Sequence, residues 1–473
     1  MNIRHCCLLF FSLLVFINCE EPEVIEEVTD SEQVQEPSEE IEEEQETEEP
    51  EEAIEPELIT YLTFNSGEMY SSEDNDNYII LHDQNGKLLD YKAFENNETF
   101  VFEKLDSALV DVSSITVTLA RMNSNQEYGT FNVINSFTGI EKGLILHTNT
   151  NEKDSSEETN SLEIKSGDKL YQRVSKNNSE RGNYSIYVHN VDGVSQMAVS
   201  NNHGDYGVFD LDIDTDTYVL ANRNFKRDEE YFIYIEDFSG NYRYTYFKTP
   251  QLDSDIILDF NDFSKFDQFV DINLPEHQEL RYLVKFREDL NSPNGYMTTG
   301  RVTSYGEKST ARFGFIQGMP DYRAILSLKV DDTWGYGITG NFNSIPQEQD
   351  LPFISKPNFE MVNNDLHHLE YTTDISYIAY TSYWKHEVDE LNQPYYITAW
   401  TIEGSNKEKP IIGHLPEEIL AKHPNLELEK LNYSQTTLTT QGATYSERVK
   451  HLFDMEEYET KPMYQHITMY ADK

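Results

Sequence analysis

Alternation is the feature that most limits what this chain can fold into. From position 58 onward, apolar and polar residues change places every second residue, in runs such as "NYIILHDQNGKLLDYKAF", "SSITVTLARM", "YGTFNVINSF", "YSIYVHNVDG", "YFIYIEDFSGNYRYTYFK" and "YRAILSLKVDD". Successive side chains of a strand point to opposite faces, so a period of two places one face on a core. The runs are rich in Tyr, Phe, Ile, Val and Thr and are broken by Asn, Asp and Gly, the residues of tight turns. Hairpin signals at this close spacing mark antiparallel sandwiches or barrels. The expected fold is mainly β: tandem antiparallel β-sandwich-like domains with a small α+β C-terminal region.

Two hairpins look alike. "YIILHDQNGKLLDY" from Tyr78 and "FIYIEDFSGNYRYT" from Phe232 share the apolar alternation and a D-x-x-G turn. Asp83 and Asp237 are expected to start these turns, with Gly86 and Gly240 at the positive-φ position. Two tandem domains of like design would explain the likeness, and so would coincidence between generic hairpins. The stretch 256–272 is ambiguous. The three prolines of 343–359 suggest a boundary, and 151–160 is a polar loop or another boundary. The expected division is 58–180 and 181–345 as β domains and 346–473 as an α+β domain. In the last, "LPEEILAKHP" reads as a short helix set between Pro416 and Pro424. "TYSERVKHLFDMEEY" reads as a second, with capping-box spacing between Thr444 and Glu447.

The N-terminus differs from all this. "MNIRHCCLLFFSLLVFIN" has Arg4 and then an apolar run from Cys6 to Ile17, shorter than the about 20 residues a spanning helix needs. It fits the apolar region of a signal peptide covering 1–18. The run ends in "FINCEE", which resembles the lipoprotein signal of Bacteroidota-type exported proteins, where cysteine becomes the lipid-modified first residue and acidic residues after it direct surface export. The resemblance implies lipidation at Cys19 and an outer-membrane, surface-exposed address. Phe16 and Asn18 depart from the usual Leu and small residue of that pattern. Cys6 and Cys7 would leave with the signal, and the mature chain would hold one thiol and no internal disulfide. Ordinary signal cleavage or an uncleaved anchor is the competing reading.

From Glu20 to Glu57 there are 20 acidic residues and no Lys or Arg. Such a segment repels itself and cannot bury a core, so 19–57 reads as a disordered tether. As a flexible coil its ends would lie about 35 Å apart. Without those 20 acids the chain's charge of −50 still leaves about −30 on the rest. A polyanion of this kind disfavours nucleic acid and anionic membrane as partners.

Motifs of common enzymes are missing: there is no G-x-S-x-G elbow, phosphate loop or G-x-G-x-x-G fingerprint. "HEVDE" at His386 lacks the second His of a zinc protease and reads as a strand end. "LHHLE" puts His367 and His368 on opposite faces of a strand, a surface pair rather than a metal site. Calcium is the candidate cofactor. "FDLDIDTDTY" sets Asp210, Asp212, Asp214 and Asp216 on one face of a strand, where four carboxylates repel unless a cation or water lies between them. The other reading is a solvated face that blocks edge-to-edge pairing. Candidate ligand-binding rings are Trp334, Tyr380, Trp384, Tyr396 and Trp400. Exposed, they would stack on sugars; buried, they are ordinary sheet core.

These readings lead to a membrane-anchored surface lipoprotein that binds glycan, protein or envelope material without catalysis. A calcium-supported hydrolase of an extracellular polymer and a structural accessory subunit of an envelope complex are the alternatives.

Overall fold

The computed structural model describes residues 58–67, 75–125, 129–148, 181–202, 206–213, 215–288, 296–305, 309–388, 395–407, 410–454 and 463–471. Residues 1–57, on which the expected signal peptide, the expected lipidation at Cys19 and the expected acidic tether fall, lie outside them. The described chain is mostly strand, with three short α-helices, two of them after residue 410. No helix among the described residues is long and apolar enough to cross a membrane.

The strands repeat one wiring plan. In the first unit, Leu58–Thr148, seven strands form two sheets. One runs fourth–first–seventh (Thr99–Leu105, Leu58–Ser66, Leu144–Thr148), with the seventh parallel to the first. The other runs third–second–fifth–sixth (Leu88–Phe94, Asn75–Asp83, Ile115–Asn125, Gly129–Ile140). The second unit, Arg181–Asp259, has the same orders, again with a parallel first–seventh pair, Arg181–His189 with Ile256–Asp259. The third unit, Gln268–Phe342, keeps both orders but has no seventh strand. In its place the proline-bearing 343–358 packs Leu351 into the core. A fourth unit keeps only the third–second–fifth–sixth pattern, as Tyr396–Ser405, Ala379–Val388, Asn432–Gln441 and Met463–Tyr470. Its third and fifth strands are joined by a helix, Glu417–Lys422, and its fifth and sixth by a second, Tyr445–Asp454. The segment 181–345, expected as one domain, thus holds two units.

Three of the four-stranded sheets join edge to edge into one sheet of twelve strands. Trp334–Phe342 pairs antiparallel with Met463–Tyr470, and Tyr396–Ser405 pairs parallel with Gly129–Ile140. Edge strands left open invite aggregation, and this fusion removes four of them.

Burial follows the alternation where a sheet has one dry face. The strand Glu279–Arg287 buries Leu280, Tyr282, Val284 and Phe286 and turns Arg281 and Lys285 outward. Two strands instead read as continuous apolar runs, because both their faces are covered. In Asn75–Asp83, Ile79 and Leu81 face the first unit's three-stranded sheet while Tyr78 and Ile80 join the core shared with the fourth unit. In Glu230–Glu236, Ile233 and Ile235 face the second unit's own core, and Phe232 and Tyr234 pack against the third. Burying each such side chain contributes about 1.5–3 kcal/mol.

The D-x-x-G turns form as expected. Asp83 Oδ1 accepts from the amides of Asn85 and Lys87 at 2.8 and 2.9 Å, and Asp237 Oδ1 accepts from the Asn241 amide at 2.7 Å. Gly86 and Gly240 take φ of +78° and +74°. Yet the first hairpin joins the second and third strands of its unit and the second joins the fifth and sixth. The tandem repeat is real in topology, and the two look-alike hairpins occupy different places in it. The ambiguous 256–272 resolves into a strand (Ile256–Asp259), a 3-10 turn (Phe260–Asp262) and further strand residues.

Candidate functional site

The seam between the third and fourth units ends in an open cleft of about 730 Å³. Its walls are the ends of four strands. Lys329 ends the third unit's fifth strand and Asp332 lies in the turn before Trp334, while Tyr470 ends the last strand and Ala471 follows it. Asn432, Tyr433 and Ser434 open the fifth strand of the fourth unit, and Lys385, His386 and Glu387 close its second.

Local sequence explains why the seam closes. In "WGYG" the large Trp334 and Tyr336 point into the core. Alternating with them are Gly335 and Gly337, where a Cβ would lie 2.9 Å from Tyr470 Oη and 2.1 Å from the His466 ring. Only glycine leaves room for those rings to lie across the sheet. At the end of the seam the Tyr470 amide donates to Thr333 O at 2.9 Å and the Ala471 amide to Ser434 O at 2.8 Å.

The charges of the cleft are already paired. Lys329 Nζ donates to Asp332 at 2.8 Å, and Lys385 Nζ to Glu387 at 3.1 Å. Tyr395 Oη donates to the other Glu387 oxygen at 2.7 Å. His386 Nε2 lies 3.1 Å from Glu427, which also accepts from Lys430 at 2.6 Å. The bond to Asp332 holds Lys329 above the usual ammonium range. That from Lys430 holds Glu427 below the usual carboxylate range. Burial pushes Tyr433 up to about 12. At neutral pH the cleft therefore offers ammonium, amide and phenol donors beside carboxylate and carbonyl acceptors, with opposite charges side by side.

The rings singled out in the sequence lie elsewhere. Trp334, Tyr380, Trp384 and Trp400 are 7%, 1%, 1% and 0% exposed, so they belong to the core and offer no platform. Trp384 Nε1 donates to Asn364 O at 2.9 Å, and the Trp384 ring meets Tyr433 edge-on at 5.5 Å beneath the cleft. Tyr396 is half-buried, with its hydroxyl on Asn425 O at 2.5 Å and Leu426 O at 3.0 Å.

Asp210 and Asp212 fall on the strand Tyr206–Ile213, but their side chains and the whole of Asp214 lie outside the described residues. The ladder of that strand is irregular between Asp210 and Ile213. Asp210 opposes Gln196 and Ile213 opposes Val194, which marks a register shift in the backbone pairing. Asp216 is exposed. Among the described residues no three His, Cys, Asp or Glu gather as metal ligands. "LHHLE" is a turn, not a strand: His367 is half-buried and bonds Ile412 O at 2.8 Å, while His368 is exposed. "HEVDE" begins at a strand end, as expected.

Sequence reasoning reached His386 and discounted it, and it missed the other cleft residues. Their only signal was the alternating glycine of "WGYG", which marks a place where something approaches the sheet closely.

Comparison with protein-family models and with curated proteins finds no match to this chain. Among solved structures, a Ca2+-stabilized adhesin that helps an Antarctic bacterium reach out and bind ice aligns at 8% identity. That alignment covers 82% of this chain and 96% of that one with a TM-score of 0.12. A tetra-tandem repeat from the extending region of a large adhesion protein aligns at 7% identity over 80% and 94%, TM-score 0.11. A structure concerned with Dscam isoform specificity aligns at 9% over 74% and 100%, TM-score 0.11. At such TM-scores these likenesses carry no argument about this chain.

Proposed function

We propose that this protein is a surface-anchored binding module that holds a polysaccharide in the cleft between its third and fourth units and does not cleave it. The observation that carries this reading is the lining of the cleft. Paired charges, two tyrosines, an asparagine and a serine at the mouth of a seam between rigid sheets suit a polyhydroxylated ligand, which needs many fixed donors and acceptors. Units that fuse by strand pairing hold those groups at set spacings. The lipid at Cys19 and the acidic tether are the means by which the module is carried clear of the membrane.

Two measurements test this. Gel retardation of the full chain by a panel of polysaccharides is expected to select at least one polymer with no reducing ends released. The Asn432→Ala/Tyr470→Ala variant is expected to bind it at least about tenfold more weakly, the loss of roughly one or two good hydrogen bonds. Release of reducing ends would replace binding by hydrolysis. Labelled fatty acid is expected to enter the wild-type chain and to be absent from Cys19→Ser, which should leave the membrane fraction. Equal labelling of both would remove the anchor.

A further inference from the structure

The third unit lacks a seventh strand, and we infer that the edge left bare is a docking site for an extended basic segment of another protein, which pairs there as a parallel strand. The inference stands apart from the polysaccharide reading of the cleft.

The ladders show what is missing. In the first unit Thr63 opposes Val101 on one side and Ile145 on the other, and Asn65 opposes Thr99 and His147. In the second unit Tyr187 opposes Val219 and Ile257, and His189 opposes Thr217 and Asp259. The third unit's first strand, Gln268–Asn273, keeps only the fourth-strand half of these rows. Asp271 opposes Arg312, and Asn273 opposes Thr310. Among the described residues no strand pairs with its other side. A sheet of two strands is marginal by itself, and a third strand supports it.

The bare edge presents backbone groups held by the fold. Val270 and Ile272 point into the core, while Phe269, Asp271 and Asn273 are exposed. The Leu274 amide donates to Ser309 O at 3.0 Å. Backbone groups alternate along an antiparallel pair, so those of Phe269, Asp271 and Asn273 face the open side. Glu348 Oε1 covers one end, accepting from the Asn273 amide at 3.2 Å and from Asn273 Nδ2 at 2.8 Å. The amides and carbonyls of Phe269 and Asp271 are left for an incoming strand.

The surroundings of the edge define its occupant. The equivalent edges of the first two units each take a parallel strand. A two-fold axis would set two copies of this edge antiparallel, and copies of charge −50 repel. Leu351 already fills the core beneath the edge, so the strand's inward residues must be small. Its outward residues lie beside Phe269 and Asp271. An apolar residue suits the first, and a basic residue suits the second across the ladder. Asp271 also pairs with Arg312 at 2.7 Å, and that guanidinium lies over the Phe269 ring at 5.6 Å.

The test measures fluorescence anisotropy of the labelled peptide SVSISKSK with the full chain. Binding is expected to be at least about tenfold tighter than that of SVSISESE at about 0.05 M salt. In a parallel pair each edge residue bonds the two neighbours of the residue opposite it. N-methylation of the serines is therefore expected to abolish binding, and N-methylation of the other residues to leave it unchanged. The two methylated peptides carry equal charge, so their difference separates strand pairing from attraction to an acidic chain. Asp271→Lys is expected to bring SVSISKSK and SVSISESE to about equal affinity, whereas a loss of folding would weaken both alike. Loss on methylating the other residues instead means an antiparallel strand and overturns the parallel assignment. Equal binding of the two methylated peptides, or an unchanged preference in Asp271→Lys, overturns the edge as the site. No binding by any peptide overturns the proposal. A dimer that the peptide dissociates would give the edge to a second copy and overturn it too. None of these outcomes bears on the cleft, which Asn432→Ala/Tyr470→Ala reports.

Discussion

Replacing Trp400 by alanine is expected to cost about 3–5 kcal/mol of folding stability, the range for deleting a large buried aromatic side chain. The expectation comes from where the ring sits. Trp400 is fully buried. Its strand is the one that pairs parallel with Gly129–Ile140, with Trp400 opposite Ile134, so the ring lies on the joint between the fourth and first units. It packs among Tyr78, Ile80, Ile134 and Ile412, which come from both units. Its Nε1 donates to Ser136 Oγ at 2.9 Å across that joint, and Ser136 is itself paired with Thr118 at 2.8 Å. Truncation leaves a cavity and takes from Ser136 one of its two hydrogen bonds in a dry place, and both costs add. Trp400→Phe keeps most of the packing and loses the bond, so it should cost about 1 kcal/mol from that term. Denaturant melts of the three proteins check this. If Trp400→Ala melts with the wild type but loses polysaccharide binding, the ring is a ligand platform after all.

The same residue shows which parts of this molecule were legible in the sequence. Alternation located the strands, because the period of two is dictated locally by backbone geometry. Turn chemistry located the D-x-x-G hairpins for the same reason. So did the Thr444–Glu447 cap, where Glu447 accepts from the Thr444 amide at 2.7 Å. What the sequence could not supply is which sheet edges meet. Trp334–Phe342 pairs with a strand more than a hundred residues later, and nothing in either strand announces the other. The cleft exists only because of that pairing, so its residues had no common signature. The apolar runs "YIIL" and "FIYI" did carry information about burial on both faces. They resemble each other for that reason, and not because they hold equivalent places in the repeat. The repeat itself lies in the order of strands, which sequence comparison of two hairpins does not reach.

Acid is expected to loosen the same joint. The loop around Ile412 lies between two imidazoles. His82, on a first-unit strand, bonds His414 O through Nε2 at 3.1 Å, and His367 bonds Ile412 O through Nδ1 at 2.8 Å. A carbonyl only accepts, so both nitrogens must donate. That leaves His82 Nδ1 buried with no partner, a state that suits a lone pair and not a second proton. The rings of His367 and His414 are 3.9 Å apart. Burial lowers the pKa of His82 and His367 below the ordinary imidazole value, and the neighbouring imidazoles push the same way. The bonds to the carbonyls of His414 and Ile412 oppose the shift first, and Asp83 and Asp365 after them; the Asp83 carboxylate is also engaged by two turn amides. At the other seam, His466 is lowered to about 4, by burial first and then by Arg448. A base with a depressed folded pKa leaves the unfolded chain binding more protons below about pH 6.5, so stability is whole above that pH and is lost as pH falls toward the folded values. For His466 alone the full change corresponds to about 3 kcal/mol. Acid also reduces the net charge of −50, which by itself would relieve repulsion and stabilise the fold. The two effects separate with salt, because screening weakens long-range repulsion and leaves buried imidazoles almost untouched. Thermal melts in 0.5 M salt are therefore expected to fall steadily from pH 7 to about 4.5. His466→Gln should flatten the lower part of that fall. A melting temperature that rises with acid at high salt would mean that these imidazoles carry their protons without penalty.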